Sequence, residues 1–341
     1  MNLKELSNLL GLSQTTISRA LNGYPEVNEE TRARVLRAAE ETGYRPNRVA
    51  RRLATGKVGS LGIVMPITPE QPVDIHFAEF QSGLADECLK HDFHFVIMPA
   101  EREQEEQAIR DLVSSGSIDG YYIAYMRERD PRIAMAKSLP LPFIVHGRSA
   151  NLAEDYPYLD VDNEAAFSEA TQHLLDLGHR RFAMLNGPAD LDFAQRRRLG
   201  IEKALGSRGL SLDPALVSST VMTDGHGFQH MARFLERKDP PTAVLCASTV
   251  LALGAVRAIR QAGLEVGADI SLIAHDDDLH LLRPEHFSTP LSTTRSSIRD
   301  AGRRVAERLI AAVNGEELDA QQRELWRAEL ILRASTATAP A

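Results

Sequence analysis

The sequence predicts a small all-α head followed by an α/β core of two doubly wound parallel-sheet lobes. Three observations support this prediction. The chain has 341 residues, which suits two or three compact units better than one. The first sixty residues contain short amphipathic helical patterns, each ended by a glycine. Beyond Gly59, short apolar runs alternate with longer amphipathic stretches, which is the pattern of parallel strands covered by helices on both faces.

Composition narrows the class of protein further. Hydrophobic residues make up 43% and charged residues 25% of the chain, as in soluble globular proteins. No run of about 18 apolar residues occurs, so we expect no membrane span. The N-terminus lacks the basic and then apolar layout of a secretory signal. Cys88 and Cys246 lie far apart and form no metal or redox motif, so we expect a cytoplasmic protein without disulfides, metal or cofactor.

Charge is distributed unevenly along the chain. The whole chain has a net charge of −8, which disfavours indiscriminate binding to nucleic acid. Residues 1–57, however, contain ten Lys/Arg and six Asp/Glu, a net charge of +4, which leaves −12 for the rest. A basic head on an acidic body is typical of a DNA-binding module joined to a domain that does not touch DNA.

The head begins with two short helical patterns separated by a turn. Asn2 and Glu5 have the spacing of a capping box, which predicts a helix from the third residue. Gly11 suits the left-handed conformation that follows a helix, and Ser13 can cap the next one. The second helix is predicted over residues 14–21.

The second helix has one apolar face and one polar face. Ile17, Ala20 and Leu21 face inward. A third helix is predicted between Asn28, which caps it, and Gly43, which ends it. The polar side chains left on the outside of the second helix are Gln14, Thr15, Thr16, Ser18 and Arg19.

Two short helices joined by a glycine-containing turn form a helix-turn-helix motif, whose second helix fits the major groove of DNA. Amide and guanidinium groups can make paired hydrogen bonds to base edges, and a threonine methyl can contact thymine. The alternative, a three-helix bundle with an ordinary polar surface, stays open on these residues alone.

The next segment, residues 46–56, carries arginines without acids. It starts with Pro46, which suits the first position of a helix, and ends at Gly56. A helix this short is marginal in water unless phosphates or a partner chain support it. Its arginines can neutralise phosphates, and Leu53 can wedge open a base step from the minor groove. A flexible basic linker is the alternative.

Residues 3–62 resemble the head of the lactose-repressor (LacI/GalR) family of bacterial regulators. The resemblance is carried by four motifs, which read GLSQTTISRALNG from Gly11, ETR from Glu30, GYRPN from Gly43 and ARRL from Ala50. It implies that Gln14, Thr15, Thr16 and Arg19 read the major groove. It also implies that Leu53 acts as a hinge-helix lever beside its symmetry mate at the operator centre. The predicted DNA-contacting set is completed by Asn22, Arg48, Arg51 and Arg52.

The body contains a succession of apolar runs that predict strands. They cover residues 61–65, 93–98, 121–124, 143–145, 182–185, 243–246, 272–274 and 329–332.

The segment around residues 158–162 is a natural crossover between two lobes. The predicted domains are a helix-turn-helix domain at 1–45, a hinge helix at 46–57 and a two-lobed effector-binding and dimerisation domain at 58–341. Within the last, we expect an N-lobe at about 58–160 and 291–318 and a C-lobe at about 161–290 and 319–335. The family's core resembles periplasmic sugar-binding proteins.

Open α/β sheets bind ligands at the carboxyl ends of their strands, so a cleft between two lobes is the expected effector site. Sugars need paired hydrogen-bonding groups for their hydroxyls and aromatic faces for stacking, which Arg, Asp, Phe and His supply. The candidates just after predicted strands are His76, Phe77, Arg148, Phe193, Arg197, Ser248 and Asp276.

The resemblance adds roles to some of these candidates. It implies that Arg197 and Asp276 are effector ligands and that His76 and Phe77 form the first effector loop. One departure matters, because many family members have Asn-Asp where this chain has Ser248-Thr249. The hydrogen-bond pattern there must differ, so the family's ligands do not transfer directly.

The resemblance implies a repressor that binds a pseudo-palindromic DNA operator as a homodimer or tetramer. The expected effector is a sugar, such as an α-glucoside, with a purine or another metabolite as the alternative. A sugar-transport component would need an export signal, and none is present. An enzyme is not expected, because the chain has no P-loop, dinucleotide-binding, zinc-protease or hydrolase motif.

Overall fold

The computed structural model describes residues 1–21, 23–44, 56–67, 74–152, 155–316, 318 and 323–340. The chain forms two compact units, Met1–Gly59 and Ser60–Ala341. Residues 45–55, which hold most of the predicted hinge helix, lie outside the described residues, as does Asn22. No helix within the described ranges is long and apolar enough to cross a membrane.

The first unit contains the three predicted helices, α1 (Leu3–Leu10), α2 (Gln14–Leu21) and α3 (Glu29–Thr42). Asn2 and Glu5 make the predicted capping box, and Gly11 adopts the left-handed conformation with φ 65°. Ser13 Oγ accepts a hydrogen bond from the Thr16 backbone N–H at 3.0 Å, which caps α2. The prediction for this part of the head is therefore confirmed at the level of individual caps.

The second unit contains two six-stranded sheets. The first lobe is built on β1 (Ser60–Pro66), β2 (His94–Ala100), β3 (Gly120–Ile123), β4 (Phe143–His146), β5 (Tyr158–Val161) and β11 (Arg323–Trp326). Its strands are ordered β11-β5-β4-β3-β1-β2, and all neighbours run parallel.

The second lobe is built on β6 (Phe182–Asn186), β7 (Val217–Ser219), β8 (Ala243–Cys246), β9 (Ser271–Asp276), β10 (Ser292–Arg295) and β12 (Glu329–Ile331). Its strands are ordered β12-β10-β9-β8-β6-β7, and only β10 and β12 pair antiparallel. The predicted class, a helical head plus two doubly wound α/β lobes, is confirmed.

Helices cover both faces of each sheet. They are α4 (Ile75–Lys90), α5 (Glu105–Ser114), α6 (Pro131–Lys137), α7 (Asn163–Asp176), α8 (Asp192–Gly206), α9 (Asp224–Leu235), α10 (Thr249–Gln261) and α11 (Ile298–Val313). In β1, Leu61 and Ile63 enter the core beneath α4 and α11, whereas Val64 enters the core on the opposite face. Apolar strands are thus buried on both sides, as their composition predicts.

Helices α4 and α11 approach each other unusually closely. A Cβ atom at Gly83 would lie 1.8 Å from the Arg299 carbonyl oxygen, and one at Gly302 would lie 2.1 Å from the Phe80 carbonyl oxygen. Only glycine fits at these two positions. The contact holds the N-termini of both helices at the same edge of the first sheet, where the candidate site lies.

The lobe boundaries differ from the predicted ones at two places. Strand β10 pairs with β9, so residues 292–295 belong to the second lobe rather than the first. Strand β11 pairs with β5, so residues 323–326 belong to the first lobe rather than the second. Both strands are polar in sequence and carry no apolar run, which is the reason why the periodicity of the sequence does not reveal them.

Candidate functional site

The outward face of α2 presents three exposed polar side chains, those of Gln14, Thr15 and Arg19. Ile17 and Ala20 on the opposite face are buried in the core of the head, 0% and 1% exposed. Residues four apart on a helix share a face, so Thr15 and Arg19 lie side by side. The geometry suits contact with base edges, as the sequence predicts.

Thr16 differs from these three. It is half-buried, and its Oγ1 lies 2.8 Å from Ser13 Oγ, the cap that also receives its backbone N–H. The hydroxyl therefore stabilises the start of α2. Contact of Thr16 with DNA stays a prediction.

The second unit contains a cavity of about 160 Å³, which we call the inner cavity. It lies at the carboxyl ends of the strands of both sheets, near the points where strand order reverses. Helices α4, α7 and α11 start beside it. Its polar and aromatic lining consists of Asp74, His76, Phe77, Phe80, Tyr122, Tyr125, His146, Arg148, Asp160, Asn163, Phe193, Arg197, His275, Asp277, Ser296 and Ser297. Five of the seven effector candidates are in this set, His76, Phe77, Arg148, Phe193 and Arg197.

Arg197 projects from α8 and is 5% exposed. Its Nε donates to Asn163 Oδ1 at 2.7 Å, and its Nη1 donates to the Ala247 carbonyl oxygen at 2.5 Å. Its guanidinium carbon lies 4.9 Å from the ring centre of Phe193 and 5.2 Å from that of Phe167. Burial lowers the pKa of Arg197 to about 10, so the group stays charged at neutral pH. The side chain is clamped between two rings, ready to donate to a ligand.

Of the neighbouring residues Asp276 and Asp277 at the end of β9, Asp277 lines the inner cavity and the predicted Asp276 does not. Side chains alternate along a strand, so His275 and Asp277 point to the cavity and Asp276 points away from it. Asp276 Oδ1 instead accepts the backbone N–H of Asp278 at 2.9 Å. Strand alternation at the end of β9 is the signal that would have corrected the sequence prediction.

Histidines on two elements flank Asp277. Its Oδ2 lies 3.4 Å from His76 Nε2, and its Oδ1 lies 3.5 Å from His275 Nε2. Burial alone would raise the pKa of Asp277. The hydrogen bond and charge of His275 and the charges of His76 and Arg197 have the larger effect, so the pKa of Asp277 is lowered. Asp277 is therefore a charged hydrogen-bond acceptor at neutral pH.

Ser248 lies outside the inner cavity, contrary to the prediction. It is 0% exposed and caps α10, where its Oγ accepts the backbone N–H of Leu251 at 3.2 Å. Serine at a strand-to-helix junction is a frequent cap, and this structural role uses its hydroxyl.

Asp74 and Tyr125 belong to the site although the sequence analysis did not select them. Asp74 caps α4 by accepting the backbone N–H groups of His76 at 3.0 Å and Phe77 at 3.3 Å. Its Oδ2 accepts the hydroxyl of Tyr125 at 2.9 Å. Burial would lower the pKa of His76, but hydrogen bonding to Asp74 and the charges of Asp277 and Asp74 raise it. The position of Asp74 just before a predicted helix was the available signal for its capping role.

Two further features shape the first-lobe side of the cavity. Arg148 Nε donates to Asp160 Oδ2 at 2.7 Å, so this cation is already paired. The His146 ring lies 4.5 Å from the Phe80 ring, and burial lowers the pKa of His146 to about 4. His146 is thus a neutral imidazole facing the cavity at physiological pH. The sequence around His146 contains no motif that would predict its place in the cavity.

Among its described residues, the inner cavity is lined by no excess of cationic over anionic side chains. The cationic side chains are those of Arg148, Arg197 and, when it is protonated, His76. The anionic side chains are those of Asp74, Asp160 and Asp277. Such a lining leaves no surplus positive charge for a phosphate or carboxylate ligand. It offers both donors and acceptors next to aromatic rings, which favours a neutral, hydroxyl-rich ligand. Among the described residues, no cluster of side chains has the make-up of a metal site.

Replacing Asp276 by Asn is expected to stabilise the protein at neutral pH. Burial raises the pKa of Asp276 to about 6 in the folded chain. Above that pKa, the charged Asp276 carboxylate therefore lowers the free energy of unfolding. This loss becomes smaller as the pH falls toward the pKa that Asp276 has in the unfolded chain. We expect the free energy of unfolding to rise by about 1–3 kcal/mol at pH 7.5, with no gain near pH 4, measured by urea denaturation. An equal gain in the free energy of unfolding at both pH values would contradict this expectation. Asp176→Asn serves as the control, because Asp176 is exposed.

Comparison with known proteins agrees with the fold of the head and of the two lobes. Residues 2–47 match the model for bacterial regulatory proteins of the lacI family, and residues 171–336 match that for the periplasmic binding protein-like domain. The HTH-type transcriptional regulator AglR of Rhizobium meliloti (strain 1021) is 62% identical over 340 residues, which is 100% of this chain and 95% of that protein.

Two solved structures are similar over nearly the whole chain. The lac repressor dimer bound to operator and the anti-inducer ONPF has a TM-score of 0.80 at 26% identity and covers 99% of each chain. The complex of transcriptional regulator CelR with cellobiose has a TM-score of 0.71 at 27% identity and covers 98% of this chain and 99% of that one.

A helix-turn-helix head joined to two periplasmic-binding-protein-like lobes defines a DNA-binding transcriptional regulator, not an enzyme. The chain belongs to the LacI family of bacterial regulatory proteins, which confirms the resemblance drawn from residues 3–62.

Proposed function

We propose that this regulator is a homodimeric cytoplasmic repressor of a pseudo-palindromic operator, released from DNA by a neutral sugar of the α-glucoside class. The observation that carries the proposal is the aromatic-lined inner cavity between the lobes, whose described residues include no excess of cationic side chains. Arg197 and Asp277 provide a charged donor and a charged acceptor, a pair suited to adjacent sugar hydroxyls. Phe77 and Phe193 provide ring faces for the C–H side of the sugar.

Residues of both lobes line the inner cavity, which gives a route from ligand to DNA. His76, Tyr125 and His146 belong to the first lobe, whereas Arg197 and Asp277 belong to the second. The segment that crosses between the lobes after β10 also lines it, through Ser296 and Ser297. A ligand that touches both lobes favours one arrangement of them over another, and its effect is limited by its difference in affinity for the two.

DNA binding is assigned to Gln14, Thr15 and Arg19 on α2, and to the arginine-rich hinge segment. In that segment Arg48, Arg51 and Arg52 neutralise phosphates and Leu53 wedges a central base step, as the family resemblance implies. Asn22 is the remaining predicted contact. Because the hinge segment connects the head to the lobes in sequence, it is the route by which effector binding controls DNA affinity.

The ligand class is tested by calorimetry of the full chain against a panel of neutral sugars and purines. We expect binding of methyl α-glucoside, maltose or trehalose, weaker binding of the β-linked cellobiose, and none of hypoxanthine or adenosine. The physical reason for sugar binding is the pairing of donors and acceptors beside ring faces, which suits adjacent hydroxyl groups. The preference for the α linkage is part of the proposal. Purine binding without sugar binding would contradict the proposal and favour the alternative effector.

Replacing Arg19 by Ala is expected to cost about 1–3 kcal/mol of operator binding and to relax preference at one base pair. The reason is the loss of a paired hydrogen bond from its guanidinium to a base edge. Anisotropy with the operator and its single-base variants measures both effects, with Arg37→Ala on α3 as the matched control. Equal weakening on every sequence would show that Arg19 contacts phosphate only.

A further inference from the structure

A second cavity, of about 390 Å³, adjoins the inner cavity, and we call it the outer cavity. The two share the side chains of Asp74, Phe77, Tyr125, Phe193 and Met222, which form a wall between them. Because the same side chains line both spaces, these are two chambers of one cleft. The outer chamber is the larger of the two.

The wall between the chambers is held in a fixed position. Tyr125 adopts a left-handed backbone conformation with φ 55°, which is costly for a bulky residue. Its hydroxyl is held by Asp74 Oδ2 at 2.9 Å, and its ring stacks on that of Phe77 with centroids 6.4 Å apart. A strained aromatic residue held by its surroundings marks a preorganised binding surface. It presents an aromatic platform at the boundary of the two chambers.

The outer cavity is lined mostly by apolar side chains, and the charged side chains among its described residues are all paired. Arg127 forms an ion pair with Glu105, and Arg102 forms one with Asp190. A phosphate would require a free cation here, and a large apolar group would leave these paired charges facing it. Hydroxyl groups can hydrogen-bond to paired guanidinium and carboxylate groups without separating them. The lining therefore suits a second neutral, hydroxyl-rich moiety.

Both lobes contribute to the outer cavity. Arg102 follows β2 of the first lobe, whereas Asp190 follows β6 of the second, so their ion pair joins the lobes beside this chamber. Val221, which follows β7 of the second lobe, lines the outer cavity and not the inner one. A group seated there contacts both lobes independently of the inner chamber.

We infer that the outer cavity is the subsite for a second sugar ring, so that the effector is a disaccharide. This inference rests on the proposed function. One ring occupies the inner cavity with Arg197 and Asp277, the second ring occupies the outer cavity, and the glycosidic bond passes the Tyr125 wall. A monosaccharide fills only the inner chamber and lacks the contacts that only the outer chamber provides.

The test is calorimetry of the full chain with methyl α-glucoside, maltose and trehalose. We expect at least one disaccharide to bind about 100-fold more tightly than methyl α-glucoside, because a second ring adds a full set of contacts. Methyl α-glucoside binding as tightly as both disaccharides would overturn the second subsite while leaving the proposed function intact. Failure of all three to bind would contradict the proposed function itself.

A pair of variants at Val221 isolates the outer cavity. Val221→Trp fills it, so we expect disaccharide affinity to fall about 100-fold and methyl α-glucoside affinity to stay within about twofold. Val221→Ala leaves the space open and is expected to keep disaccharide binding. Equal weakening of both ligands by Val221→Trp would overturn the subsite. The melting temperature shows whether Val221→Trp folds. If it does not fold, the affinities of the wild-type chain for methyl α-glucoside and for the disaccharides still test the second subsite.

Discussion

Replacing Arg197 by Ala is expected to weaken effector binding strongly while leaving operator binding without effector intact. The side chain is clamped between Phe193 and Phe167 and donates to Asn163, so its geometry is preset for a ligand. A hydrogen bond to a charged group contributes about 1.5–3 kcal/mol, so losing the guanidinium lowers effector affinity about 10- to 100-fold. Calorimetry measures the effector affinity, and anisotropy measures the operator affinity without effector.

Arg198→Ala is the matched control for this variant. Arg198 is on the same helix, but it is exposed and its Nε donates to Glu202 Oε1 at 2.7 Å, away from the cavity. It should leave both affinities unchanged. Equal effector affinity in Arg197→Ala and Arg198→Ala would remove Arg197 from the site. Melting temperatures of the variants separate loss of binding from loss of folding.

Replacing Leu53 by Ala is expected to weaken operator binding strongly and effector binding hardly at all. A fully buried leucine side chain contributes about 1.5–3 kcal/mol, and the proposed homodimer has two such leucines to insert at the central base step. The combined loss is therefore on the order of 100-fold or more in operator affinity. Anisotropy and calorimetry on the same preparation measure the two affinities.

Leu36→Ala serves as the control for Leu53, because Leu36 is an exposed leucine on α3, 49% accessible, within the same head. It should leave operator affinity within about twofold of wild type. Proportional loss of operator and effector binding in Leu53→Ala would mean that the residue supports the fold rather than wedging DNA.

Much of the fold follows from local sequence signals. Caps such as Asn2, Ser13 and Asn28 and glycines such as Gly11 and Gly43 act within a few residues, so they can be read directly. Strands buried on both faces are continuously apolar, which makes runs such as residues 61–65 and 243–246 visible as strands.

Other features depend on contacts between distant parts of the chain. Strand β10, Ser292–Arg295, is polar, and its Ser292 and Thr293 are buried through hydrogen bonds with the C-terminal segment around Ser335 and Arg333. Nothing local marks such a strand, so the lobe boundary there was misplaced.

At the inner cavity, the sequence predicts which strands and helices contribute side chains more reliably than it predicts the individual residues. Five of the seven predicted effector residues, Arg197 and His76 among them, line the inner cavity. Sequence analysis selected Asp276 in place of Asp277, because the orientation of a strand's last residues depends on register. Tyr125 was missed because its left-handed backbone and its bond to Asp74 arise only in the folded lobe.

The most direct test of effector control is the operator affinity of the full chain with and without the tightest-binding disaccharide of the panel. Anisotropy at fixed salt should show that saturating disaccharide weakens operator binding about 10-fold or more in wild type. In Arg197→Ala, the same effect should need about 10- to 100-fold more disaccharide. An operator affinity that stays unchanged in wild type while calorimetry shows the cavity filled would contradict the coupling between cavity and DNA.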